Sequence, residues 1–196
     1  MVTEVPWMWI IGGPNGAGKT TLARAVLGGA IPTNAFVNTD EIAKALKREG
    51  WRSDVRAGRF SIEAVEAHLA ARTSFAVETT LSSHRYLRLI AGLRREPWRA
   101  EVGWKFGLLY VGVANAEISL SRVAKRVSLG GHGVPEVDVR RRFARSISLL
   151  RDHAAICDRV VVFDNSSATP HLLVDGWREG LDLRSLTFPW ELGDGR

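Results

Sequence analysis

The stretch that most constrains this chain is Gly13-Pro14-Asn15-Gly16-Ala17-Gly18-Lys19-Thr20, with Thr21 directly behind it. It fits the spacing G-x-x-x-x-G-K-[ST] of a phosphate-binding loop. An apolar run, Trp7 to Ile11, stands in front of it and reads as a buried strand. A helix-compatible run from Thr20 to Leu27 follows and stops at Gly28-Gly29. Strand, glycine loop and helix form the setting in which backbone N–H groups turn inward around phosphate oxygens. The helix N-terminus adds its partial positive charge there. Lys19 is then expected to reach the β- and γ-phosphates of a nucleotide, and the Thr20 hydroxyl to hold Mg²⁺. Such a unit belongs to α/β folds built on a parallel sheet.

The 196 residues suit one α/β domain, and no repeat, low-complexity tract or Pro-rich linker divides them, so residues 1–196 read as a single domain. The lone cysteine, Cys157, excludes an internal disulfide and a cysteine zinc cluster and fits a reducing cytosol. The glycine loop interrupts the first apolar run too early for a secretory signal, and no run is long enough to span a bilayer. The expectation is a cytoplasmic protein that does not enter membranes. A net charge of +6 and a pI near 10.1 point to an anionic partner. Nucleotide, sugar phosphate and nucleic acid all fit that charge.

Ala35 to Asn38 reads as a second strand, followed by Thr39-Asp40-Glu41 and a helix opening at Ile42. Ligands of parallel sheets gather at strand C-termini. Asp40 therefore has two readings: a base that takes the proton from an acceptor hydroxyl, or, with Thr39, a cap of the helix. Gly50 to Phe60, with Arg52, Arg56 and Arg59, reads as a mobile connection, and Ile62, Val65 and Leu69 share a helix face beyond it. Ser74 to Val77 reads as a third strand ending in Glu78-Thr79-Thr80-Leu81-Ser82. Glu78 there fits support of Mg²⁺ through water or a grip on substrate hydroxyls, and Thr80 and Ser82 fit hydrogen bonds to an acceptor. Capping of the helix through Tyr86, Leu87 and Ile90 is the structural alternative.

A basic stretch (Arg94, Arg95, Pro97, Arg99) leads to a fourth strand, Trp104 to Val113. From Asn115 a helical segment sets Arg122 and Arg126 on one face at i,i+4. It breaks at Gly130-Gly131-His132-Gly133-Val134-Pro135. The next helix carries an apolar stripe of Val139, Phe143, Ile147 and Leu150, with Arg140, Arg141, Arg142 and Arg145 on its other faces. Residues 115–145 thus read as a lid that brings guanidinium groups over phosphates and excludes water, or as a basic, solvated helix pair. Arg126, then Arg122 and Arg142, are the candidates to contact the transferred phosphoryl group. Arg159 to Phe163 reads as a fifth strand. Asn165 and Ser166 after it fit contacts to an adenine base or a simple Asx turn. Leu172 to Val174, the Asp175-Gly176 turn signal and Leu181 to Leu183 suggest a small hairpin. Trp190 and Leu192 are expected to pack on the body, with fraying from Gly193 onward.

With the phosphate loop, Asn38-Thr39-Asp40-Glu41, Glu78-Thr79-Thr80-Leu81 and the glycine hinge before Arg140 to Ser146 in this order, the chain resembles the zeta toxin family of P-loop kinases, in its short, single-domain bacterial branch. The resemblance runs from about Trp7 to about Val174. It implies a three-layer sandwich around a five-stranded parallel sheet in the order 2-3-1-4-5, and phosphoryl transfer from ATP with Mg²⁺. It further implies a UDP-activated amino sugar such as UDP-N-acetylglucosamine as acceptor, a product that poisons cell-wall synthesis, and a small antitoxin that blocks the nucleotide site. By position, Lys19 and Thr20 match the family's phosphate and magnesium residues, Asp40 its base, and Glu78 and Thr80 the pair that holds the acceptor sugar. His132 stands near where the larger toxins carry a second key arginine.

Three other readings share parts of this pattern. A polynucleotide kinase has the same loop, base and lid arginines, and a basic chain suits it. Most of the seven tryptophans, however, fall in expected strands or the tail rather than on a stacking platform. Ser128-Leu129-Gly130-Gly131-His132 looks like an ABC-type ATPase signature, but Arg140 to Arg145 stands where an apolar run ending in Asp-Glu should follow. A nucleotide-binding regulatory protein without chemistry is the third.

Overall fold

A computed structural model of the chain describes residues 5–48, 54–95, 103–131 and 133–191. The expectations for Gly50 and Arg52, for Pro97 and Arg99, for His132, and for Leu192 and Gly193 concern positions outside these. The first strand, β1 (Trp7–Gly12), is followed by α1 (Lys19–Leu27), β2 (Phe36–Val37), α2 (Thr39–Arg48), α3 (Asp54–Ala71) and β3 (Phe75–Glu78). Then come α4 (Arg85–Arg95), β4 (Lys105–Gly112), α5 (Ala116–Ser128), α6 (Glu136–Ser148), α7 (Leu150–Ile156), β5 (Arg159–Asp164) and β6 (His171–Trp177).

The sheet runs β2-β3-β1-β4-β5-β6. The first five strands are parallel, and Met8, Ile10, Phe75, Leu108, Tyr110, Val160 and Val162 are all fully buried within them. Continuous apolar runs of this kind form when helices cover both faces of a parallel sheet. The sheet has six strands rather than five, because the expected tail hairpin does not form. Instead β6 lies antiparallel on β5, with Val174 opposite Val162 and Gly176 opposite Val160. Arg159 clasps Asp175 across the pair at 2.9 Å, so Asp175-Gly176 sits inside a strand and not at a turn. Pairing an otherwise open edge satisfies a row of backbone donors and acceptors, which an isolated hairpin cannot do as well.

Two helices also depart from expectation. The polar connection drawn through Phe60 is helical from Asp54, because Ala57, Ser61 and Val65 form a buried stripe on α3. The stripe from Val139 to Leu150 spans two helices: α6 ends at Ser148 with Leu149 as its C-cap, and Leu150 opens α7. The tail beyond β6 is tied down by Trp190, which stacks on Phe188 at 5.1 Å and lies over Gly112, where a Cβ would overlap its ring. Arg151 grips Glu191 through both carboxylate oxygens, and its guanidinium lies 5.5 Å from the centre of the Phe188 ring. Among the described residues no helix is long and apolar enough to cross a membrane.

Candidate active site

All parallel strands end on one side, and the phosphate loop, the start of α2, the segment after β3 and the helices α5 and α6 converge there around a cleft of about 990 Å³. Gly16 and Gly18 take positive φ, 73° and 86°, which only glycine adopts without strain, and Gly18 caps α1 in that conformation. A side chain at Gly16 would come within 2.8 Å of the Ser119 carbonyl, so the loop is seated directly on α5. Asn165 reaches the loop from the end of β5: its Nδ2 donates to the Ala17 carbonyl at 2.7 Å. The structure thus gives Asn165 a contact with the loop backbone. Gly13, Pro14 and Ala17 form the buried floor, while Asn15, Gly16, Gly18, Lys19, Thr20 and Thr21 face the cleft.

Lys19 is 7 % exposed. Its Nζ donates to the Pro14 carbonyl at 2.9 Å and lies 3.8 Å from Glu78 Oε1. Burial pushes its pKa below the ordinary lysine value, while Glu78 and then Asp40 pull it back up. The other carboxylate oxygen of Glu78 accepts from Thr20 Oγ1 and from Asn38 Nδ2, both at 2.7 Å. The sequence did not single out Asn38. Its Oδ1 accepts from the backbone N–H groups of Asp40 and Glu41, so Asn38 is the cap of α2. This corrects the alternative in which Thr39 or Asp40 caps: Thr39 Oγ1 instead meets Ser61 Oγ at 2.9 Å, and the Asp40 carboxylate points into the cleft. The asparagine immediately before an acidic first turn was the available signal.

After β3 the chain turns through Leu81, whose φ of 56° is rare for a branched side chain. That conformation costs about 1–2 kcal/mol. It is held by the buried Leu81 side chain against Gly12, and it presents Thr80 and Ser82, hydrogen-bonded to each other at 2.8 Å, to the cleft.

The helices α5 and α6 form the opposite wall. The side chain of Asn115 caps α5, and Glu136 and Asp138 complement the dipole at the start of α6. Arg140 joins the two helices on their outer side, bonding Glu117 at 2.6 Å and Glu136 at 2.8 Å. Arg122, Arg126 and Arg142 face the cleft, joined by Arg141 and Arg145. Arg126 Nη1 stands 3.6 Å from Asp40 Oδ2, and Arg122 Nη2 donates to the Ser166 carbonyl at 3.3 Å. The hinge residue Gly131 is needed for this placement, because a Cβ there would meet Arg126 Cγ at 2.6 Å and the Arg126 carbonyl at 2.8 Å. Lys44 and Arg85 also line the cleft. Sequence patterns did not mark them, since each comes from a helix that reads as an ordinary amphipathic surface.

This sheet order, with a glycine loop between β1 and α1 and a helix pair facing it, is the P-loop kinase fold. The AvrRxo1-ORF1:-ORF2 complex with ATP matches with a TM-score of 0.64 at 19% identity, over 87% of this chain and 58% of that one. The chain thus spans little more than half the length of that protein. The PezAT chromosomal toxin–antitoxin system of Streptococcus pneumoniae matches with a TM-score of 0.53 at 16% identity, over 87% of this chain and 73% of that one. The Pnkp1/Rnl/Hen1 RNA repair complex gives 0.53 at 20% identity, over 86% and 48%. At these identities the likeness is one of fold. No family model matches the chain. An uncharacterized protein of Haemophilus influenzae is 31% identical over 132 residues, 67% of this chain and 88% of that protein, and the chain belongs to its family.

Proposed function

We propose that the protein is an ATP- and Mg²⁺-dependent phosphotransferase of zeta-toxin type, acting in the cytoplasm as one domain with residues 115–145 as its lid. It transfers the γ-phosphoryl group to a hydroxyl of a small acceptor, with a UDP-activated amino sugar as first candidate. The observation that carries this reading is the convergence of Lys19, Asp40 and Arg126 from three separate elements on one cleft, with Asp40 and Arg126 3.6 Å apart. A phosphate-binding loop alone would serve any nucleotide-binding protein. A carboxylate and a guanidinium facing it supply what transfer requires: a proton acceptor and a charge that follows the moving group.

In the proposed reaction the loop N–H groups and Lys19 hold the β- and γ-phosphates. An Asp40 carboxylate oxygen takes the proton of the acceptor hydroxyl as its oxygen bonds to the γ-phosphorus, and the bond from that phosphorus to the β-phosphate oxygen breaks to release ADP. Arg126, with Arg122 and Arg142, offsets charge on the transferring group. Thr80 and Ser82 orient the acceptor. Thr20 Oγ1 and a Glu78 oxygen already lie within hydrogen-bond distance of each other, a hard-oxygen pair that suits Mg²⁺ bound beside phosphates. Once bound, the ion neutralises phosphate charge; Thr20 would hold it, with Glu78 directly or through water. A small antitoxin covering the nucleotide site fits this reading as partner, and one of the structural matches, PezAT, is a toxin–antitoxin system.

Mass spectrometry of UDP-sugars incubated with protein, ATP and Mg²⁺ tests the assignment. One phosphoryl group should appear on the amino sugar with the native protein and not with Lys19→Ala. UDP-sugars that stay unchanged while another metabolite gains the group would remove the zeta-toxin acceptor and keep the kinase.

A further inference from the structure

Two strand ends lie side by side next to the phosphate loop. β2 runs parallel to β3 with Val37 opposite Val77, so the next residues, Asn38 and Glu78, leave the sheet as neighbours. Asn38 is buried, with 8 % of its surface exposed, and the two ends of its side chain have different partners. Oδ1 accepts from the backbone N–H groups of Asp40 at 2.9 Å and Glu41 at 3.2 Å, which are orphan donors in the first turn of α2. Nδ2 donates to Glu78 Oε2 at 2.7 Å, the same oxygen that accepts from Thr20 Oγ1 at 2.7 Å. Oε2 thus takes two donors, and Oε1 is left toward Lys19 Nζ, 3.8 Å away.

Capping alone does not call for an amide at this position. Serine, aspartate and asparagine cap helices about equally well. An aspartate would set a second carboxylate against Glu78 and offer it no donor. A serine hydroxyl stands one bond nearer the backbone than the amide nitrogen, so once it serves the α2 amides it falls short of Glu78. Asparagine supplies an acceptor to the helix and a separate N–H donor to the carboxylate. The amide group is planar and rigid, so its two ends move together, and a shift of Glu78 is felt at the start of α2. That turn carries Asp40, whose Oδ2 stands 3.6 Å from Arg126 Nη1, and it is anchored on its other side by Thr39 Oγ1 against Ser61 Oγ at 2.9 Å.

Resting on the reading that Mg²⁺ binds beside Thr20 and Glu78, we propose that Asn38 is a positioning residue that couples the metal side of the cleft to the base side. Through Nδ2 it holds the Glu78 carboxylate in the orientation that serves the ion. Through Oδ1 it holds the first turn of α2, and with it Asp40. It acts through these two acids and not on the reacting atoms. Occupation of the metal side then tightens the start of α2, so an acceptor hydroxyl meets a fixed base only when nucleotide and ion are in place. A hydrogen bond to a charged group is strong enough for its loss to weaken such coupling about tenfold.

Two readouts that need no turnover test this. The first is calorimetric: affinity for a non-hydrolysable ATP analogue with Mg²⁺, divided by its affinity without the ion. A native protein that does not bind the analogue, or binds it equally with and without Mg²⁺, overturns the metal reading and this proposal together. Given a native gain, Asn38→Ser, which keeps a cap, should lower the ratio about tenfold, and combining it with Glu78→Ala should lower it no further than Glu78→Ala alone. The second is amide hydrogen exchange at Asp40 and Glu41. Analogue with Mg²⁺ should slow it in the native protein and fail to slow it in Asn38→Ser. Thermal melting verifies that the variant is folded, and Asn38→Thr, another cap, replaces it if it is not. A ratio that Asn38→Ser leaves unmoved, a double variant that shows both losses in full, or exchange that slows equally in native and variant protein overturns the coupling and leaves the metal reading standing.

Discussion

Asp40 owes its availability to its neighbour. Asn38 takes over the capping of α2 and leaves the Asp40 carboxylate facing Arg126 across the cleft. Replacing Asp40 by Asn keeps the shape and removes the proton acceptor. Turnover is expected to fall roughly 10²–10⁴-fold with affinity for an ATP analogue unchanged, as measured by single-turnover kinetics and calorimetry. Gly131 offers a test at a distance from the chemistry. Gly131→Ala forces Arg126 to move, so the rate should drop while nucleotide affinity holds. Gly130→Ala is the control: its φ of 82° strains an alanine by about 1 kcal/mol, but nothing lies within 4 Å of the added methyl. An unchanged rate in Gly131→Ala would show that Arg126 placement does not limit transfer. The loop residues were legible because G-x-x-x-x-G-K-T is a local pattern. Lys44 and Arg85 were not, because a cleft wall gathered from distant helices leaves no mark on any one stretch of sequence.

At the scale of elements, the strands that carry continuous apolar runs, such as Trp7 to Ile11 and Val160 to Val162, were plain in the sequence. Two misread segments share a cause. Asp175-Gly176 has turn chemistry, and the first turns of α3 have polar composition, yet long-range contacts outweigh both: the β5 edge claims the first and packing of Ala57 and Val65 the second. Arg151 ties the tail beyond β6 to α7: it clasps Glu191 and donates to the Leu183 and Leu186 carbonyls, beside the Phe188–Trp190 stack. The Arg151 hydrogen bonds are the main reason that the Glu191 carboxyl titrates below its usual 4.5. A carboxylate with a depressed folded pKa stabilises above its unfolded value, and that contribution is lost as pH falls through the folded pKa. Glu191→Gln should therefore cost about 1 kcal/mol in denaturant melts at pH 7 and nearly nothing at a pH well below 4.5. An equal loss at both pH values would mean that packing, and not charge, holds the tail.

Across the whole molecule, stability should peak in a window bounded by two buried groups outside the cleft. His153 Nδ1–H donates to the Leu149 carbonyl at 2.8 Å, which leaves Nε2 as a buried lone pair with no partner among the described residues. Burial lowers its pKa from 6.5, so the unfolded chain binds this proton more readily and stability falls as pH drops below about 6.5. Burial pushes the Cys157 thiol up from 9.0 to about 12, so the unfolded chain loses its proton first and stability falls as pH rises from 9.0 toward 12. His153→Leu should flatten the acid limb of a stability–pH profile and Cys157→Ala the alkaline limb. Unaltered limbs would assign the pH dependence to other groups.

The central claim is that this cleft moves a phosphoryl group. The direct measurement follows the γ-phosphate: ATP labelled there, Mg²⁺ and a pool of small cell metabolites are incubated with the protein and, in parallel, with Lys19→Ala and Asp40→Asn, and labelled products are resolved by mass. Label is expected on a small hydroxyl acceptor with the native protein, and that product should be lost in both variants. Nucleotide bound but label found only in ATP and inorganic phosphate, or a labelled product that persists in Asp40→Asn, would contradict it.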